Sequence, residues 1–120
     1  MRADLLTSVL TELNGTSADI EASGVISTDG LMMASVLPAG MDEDRVGAMS
    51  AAMLSLGDRT AQELNRGGLE QVLIKGHHGY VLMTYAGEEA VLTVLAKPNA
   101  KLGLIFLDVK RAAESIAEML

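Results

Sequence analysis

Cysteine is absent from all 120 residues, so disulfides and thiolate metal sites are excluded and a reducing compartment is permitted. Tryptophan is missing as well, and aromatics make up only 2% of the chain. The core must therefore be assembled from Leu, Val, Ile, Ala and the eight methionines, and few rings are left to stack on a base or a sugar. Basic residues are scarce: nine Lys and Arg stand against sixteen Asp and Glu, giving a formal charge of −7 and a pI near 4.6. Phosphate backbones need clustered cations, so nucleic acid is not an expected partner, and an anionic membrane surface is disfavoured by the same repulsion. No stretch approaches the ~18 apolar residues of a membrane span. Met1 to Leu13 is interrupted by Asp4, Thr7, Ser8, Thr11 and Glu12, unlike the apolar heart of a signal peptide. A soluble, cytoplasmic protein without membrane insertion is expected.

What is present is a chain 49% hydrophobic with a mass of 12.6 kDa. That length suits one domain over residues 1–120, burying about two-thirds of the surface its unfolded form exposes. Leu5, Leu6, Val9, Leu10 and Leu13 recur at helical spacing, and Asn14-Gly15 can take the left-handed turn that closes a helix. A first helix over about 2–14 follows. Residues 20–28 and 31–37 are rich in small and β-branched types and are divided by Asp29-Gly30, a hairpin signal. Asp42 is a good N-cap, Glu43 and Asp44 suit the positive end of a helix dipole, and Met41 can reach Val46 as a staple. The second helix should run to about Asn65 before Gly67-Gly68, roughly 33 Å long. Leu69 to Lys75, Tyr80 to Ala86 and Ala90 to Lys97 read as three strands joined by short loops, hence antiparallel. Beyond Pro98-Asn99, Leu102, Ile105, Val109, Ala112, Ile116 and Leu120 share one face of a last helix.

The later strands are apolar on both alternating sets: Val81, Met83 and Tyr85 against Tyr80, Leu82 and Thr84, for example. Such a sheet must be covered by helices on both faces. The second helix carries two stripes. Val46, Met49, Met53, Leu56 and Thr60, with Leu64 nearby, form a bulky one; Gly47, Ser50, Leu54, Gly57 and Ala61 form a small one. One sheet needs a single apolar face. The bulky stripe is expected on the sheet, and the small one against a neighbouring helix, that of a second copy.

Candidate chemistry is thin. His77 and His78 are the only histidines; adjacent residues of an extended chain point to opposite faces, and a hairpin turn explains them better than a metal does. The carboxylates of Asp42, Glu43 and Asp44 are accounted for by the helix start. Neither GxGxxG nor a Gly-Lys-Ser/Thr ending occurs, and no serine has a recognisable histidine and acid context. Neither cofactor nor catalysis is expected.

The order helix, two strands, helix, three strands, helix, together with Asp29-Gly30, Gly67-Gly68-Leu69, Gly79-Tyr80 and Pro98-Asn99-Ala100-Lys101-Leu102-Gly103, resembles the Roadblock/dynein light chain family, of the bacterial or archaeal small-GTPase regulator type. A profilin-like or PAS-like domain is the competing fold, with elements expected in a different order. The resemblance implies an α+β, Roadblock/profilin-like fold in α/β/α layers with a five-stranded antiparallel sheet. It also implies a homodimer whose third strands pair and whose second helices lie side by side. The expected interface is Gly47, Ser50, Leu54, Gly57 and Ala61 with Leu69, Val72 and Ile74 at the strand edge. A small Ras-like GTPase is the implied partner, and Asp44, Ala48, Ala51, Ser55, Asp58, Arg59 and Gln62 are the candidate contacts for it. A structural adaptor joining proteins without altering GTP turnover is the alternative.

Overall fold

A computed structural model describes residues 2–120 of the chain. The elements follow the expected order: α1 (Arg2–Thr16), β1 (Ile20–Ser27), β2 (Met32–Val36), α2 (Glu43–Glu63), β3 (Val72–Gly76), β4 (Gly79–Ala86), β5 (Ala90–Ala96) and α3 (Leu102–Met119). The five strands form one sheet in the order β2-β1-β5-β4-β3, and each neighbouring pair is antiparallel.

Both faces of the sheet are covered, for the reason the alternation gives. On one side Val25, Leu82, Leu92 and Val94 pack against Leu6, Leu10 and Leu13 of α1 and Ile105, Val109 and Ile116 of α3. On the other, Ile26, Met83 and Val91 lie beneath Leu54 of α2. Each of these buried leucines and isoleucines stabilises the fold by about 1.5–3 kcal/mol relative to exposure.

The local signals act with three shifts. Asp29-Gly30 makes the β1–β2 turn, with Gly30 at φ 97° and the Ser27 N–H donating to the Leu31 carbonyl at 2.8 Å. Asp42 caps α2, its Oδ1 accepting from the backbone of Asp44 at 3.0 Å and Arg45 at 3.2 Å. Helix α1, however, does not close at Asn14-Gly15. It runs to Thr16, whose hydroxyl donates to the Leu13 carbonyl at 2.8 Å, while the Asn14 side chain is occupied as acceptor for Ser23 at 2.7 Å. Helix α2 ends at Glu63, and the left-handed residue is Asn65 at φ 59°. Strand β3 starts at Val72 and not Leu69, since the Leu69 N–H donates to Asp58 and the Glu70 carbonyl accepts from the Thr84 hydroxyl in place of ladder bonds.

The two sheet edges differ. Along β2 the register jumps from Val25 opposite Ala34 to Ile26 opposite Met32, so Met33 is skipped in a bulge. Glu43 at the start of α2 accepts from Ser35 of this strand at 2.6 Å. Along β3 the pairing with β4 is unbroken from Val72 to Gly76.

Candidate interaction surface

Helix α2 meets the sheet through its small residues, because the sheet rises close to it. A Cβ added at Gly47 would lie 2.6 Å from the Gly30 carbonyl oxygen, and one at Gly57 would touch Val72 at 3.0 Å and Leu69 at 3.2 Å. Between them Ser50 accepts a 2.8 Å hydrogen bond from Thr93 of β5, with both side chains buried. Leu54 fills the remaining depth at 1% exposure. The two stripes are therefore real but face opposite ways to the expectation. Gly47, Ser50 and Leu54 are buried within the chain, and Gly57 and Ala61 are half-buried. The first three cannot contact a partner, and Gly57 is already against β3.

The bulky stripe is left outside. Met49 is 53% exposed and Leu56 61%. Met53 is half-buried and, like Val72 and Val81, packs against the Ile26–Leu54–Met83 cluster, so it forms the inner flank of the ridge. The apolar surface continues onto the edge strand. Ile74 of β3 stands opposite Val81 of β4 on the α2 side of the sheet, and it is 38% exposed. Of the three edge residues expected at an interface, Ile74 lies open, whereas Leu69 and Val72 are half-buried under α2.

The outward side of α2 is polar and shallow. Asp44, Ala48, Ser55, Arg59 and Gln62 are exposed as expected for a contact face, and Ala51 is half-buried. Arg59 donates to Glu63 at 3.1 Å, one turn on; an exposed pair of this kind adds little stability. Asp58 departs from the expectation. Its Oδ1 accepts from the Leu69 backbone N–H at 2.9 Å, and its Oδ2 accepts from the Gln62 amide at 2.9 Å. It is turned toward the start of β3 and not into solvent. Beside it, Tyr85 donates a long 3.5 Å hydrogen bond to the Leu54 carbonyl. Burial, and secondarily the Asp58 carboxylate, push the Tyr85 phenol above its ordinary pKa.

His77 and His78 form the exposed turn between β3 and β4. Among the described residues no helix is long and apolar enough to cross a membrane.

These features define a three-layer sheet domain that carries an apolar helix ridge beside one regular sheet edge. The chain belongs to the Roadblock/LC7 domain family, whose model matches residues 6–96. It is 48% identical to the uncharacterized protein MJ1340 of Methanocaldococcus jannaschii over 111 residues, which span 92% of this chain and 96% of that protein. Among solved structures it is similar to an MglB with tetrameric arrangement, at a TM-score of 0.89 and 22% identity, covering 98% of this chain and 89% of that one. Profilin IB of Acanthamoeba castellanii also superimposes, at a TM-score of 0.69 and 14% identity over 94% of this chain and 97% of the other. Profilin is thus a relative in fold, and the expectation that its elements would compete in a different order is corrected.

Proposed function

We propose that the chain is a non-enzymatic regulator that acts as a homodimer and binds a small Ras-like GTPase. The observation that carries the dimer is the open ridge of Met49 and Leu56 beside a regular edge strand. Large apolar side chains exposed next to unpaired strand groups are what a second protein covers. A two-fold partner applies the same patch to itself. Antiparallel pairing of two β3 edges would join two sheets and bring the two α2 ridges together.

The GTPase comes from the family: bacterial and archaeal Roadblock homodimers are typically linked to such enzymes. Binding on the outward faces of the α2 pair, around Ala48, Ser55, Arg59 and Gln62, would favour one switch conformation. It changes the nucleotide cycle only through different affinities for the two states.

Light scattering across a dilution series tests the dimer; the sequence mass alone at every concentration would end that reading. GTP turnover and nucleotide release, measured with and without the protein on a small GTPase co-purified with it from lysate, test the regulation. Binding with both rates unchanged would favour the adaptor reading.

A further inference from the structure

Backbone hydrogen bonds from Leu64, Asn65 and Arg66 close α2, and beyond them the chain is anchored again only as it nears β3, at Leu69 and Glu70. Gly67, at φ 85°, and Gly68 have open space on all sides where a side chain would be, so they impose little direction on the chain. One residue later, the Asp58 carboxylate takes the Leu69 N–H at 2.9 Å, and three residues after that β3 begins at Val72. A carboxylate accepting from a backbone N–H is among the stronger hydrogen bonds available, and Gln62 steadies it from the same helix face at 2.9 Å. Leu69 and Val72 then pack against Gly57, one position before Asp58 on α2. The ladder with β4 places β3 in the sheet, and the carboxylate is the direct side-chain tie between the entry to that strand and the α2 ridge.

We infer that Asp58 is a positioning residue for self-association. It holds the β3 edge and the Met49–Leu56 ridge in register as one surface for a second copy. This rests on the homodimer reading above. The side chain itself need not touch the partner, since its effect passes through the Leu69 N–H.

The test compares wild type, Asp58→Ala and Asp58→Asn by sedimentation equilibrium and by amide hydrogen exchange. Asp58→Ala is expected to weaken the dimer about tenfold or more, the scale of one lost hydrogen bond to a charged group. It should also speed exchange at Leu69 and along β3 while β5 stays protected. Asp58→Asn is expected to restore dimerisation to within about threefold, because its oxygen still accepts from Leu69 and the Gln62 amide can turn over. A structural lesion without a positioning role would expose β5 as well. Should Asp58→Ala not fold, Asp58→Ser, too short to reach the Leu69 N–H, takes its place with the same expectation. Unchanged dimerisation in the Ala or Ser variant overturns the inference while leaving the dimer intact. A wild-type chain that is monomeric throughout overturns both.

Discussion

Replacing Gly47 by alanine sets two physical effects against each other. In an exposed helix interior the change would stabilise by about 1 kcal/mol, since alanine loses less backbone entropy and glycine is the poorer helix former. Here the new Cβ would lie 2.6 Å from the Gly30 carbonyl oxygen, whereas relaxed C···O contacts sit near 3.3–3.6 Å. The helix must retreat by roughly 0.7–1 Å to restore that contact distance. Two restraints resist it: the Asp42 cap five residues earlier and the Ser35–Glu43 hydrogen bond to β2. Overpacking of this kind costs about 1–3 kcal/mol, so a net loss of about 1 kcal/mol is expected after the propensity gain is subtracted. For a chain of this size that lowers the melting midpoint by roughly 4 °C. Urea unfolding followed by circular dichroism, at one fixed protein concentration because the proposed association would contribute to stability, gives the free energy. Gly57→Ala is the control: its Cβ would meet side-chain atoms of Val72 at 3.0 Å and Leu69 at 3.2 Å, which must give by only a few tenths of an ångström, so that cost is expected to offset the propensity gain and leave a change near zero. A Gly47→Ala variant more stable than wild type by the full propensity value would refute the close approach of α2 to the β1–β2 turn.

Met49→Glu combined with Leu56→Glu should leave the fold intact, because both side chains are exposed, and shift the chain to monomer in light scattering; retention of a dimer would move the interface elsewhere. Ser50→Ala should cost about 1–3 kcal/mol by stranding the buried Thr93 hydroxyl. Ser50→Ala with Thr93→Val should recover most of that loss in denaturant titrations, and additive losses would deny the pairing. The raised Tyr85 pKa means that the folded chain keeps a proton the unfolded one has lost. Its stabilising contribution is complete below the ordinary phenol pKa of about 10 and disappears as pH rises through the folded value. Phenolate absorbance at alkaline pH should show Tyr85 titrating earlier in Asp58→Asn, and no movement would remove the carboxylate as a cause.

The layers of the fold were legible because they follow from patterns confined to each segment. Val81–Met83–Tyr85 and Leu82 on alternate faces of β4 required two covers, and Asp42 marked the start of α2 within a residue. The orientation of α2 was not legible in that way. Spacing identifies two stripes, but which one lies inward depends on how far the Gly30 turn and Thr93 rise from the sheet, a distance between segments remote in sequence. Bulk ordinarily marks the buried side of a helix, yet the gap here admits only Gly47, Ser50 and Gly57 around a single Leu54. Asp58 was misplaced for a related reason. Its helix position predicts solvent, but the partner that turns it inward is a backbone N–H eleven residues on, and a backbone donor leaves no trace in side-chain identities. The absence of a left-handed closure at Asn14-Gly15 likewise reflects Ser23, a neighbour brought by the fold.

The skipped residue Met33 has an implication for stoichiometry. A sheet with two clean edges could add protomers without end, each new strand offering the next a template. The bulge and the Glu43 clasp give β2 no such straight template, which leaves β3 as the regular edge. In the proposed dimer, strand pairing through β3 would use up that free edge and stop at two chains. Any larger assembly of such dimers would then have to be built on helix faces, where closure depends on the symmetry of the contact and not on strand pairing.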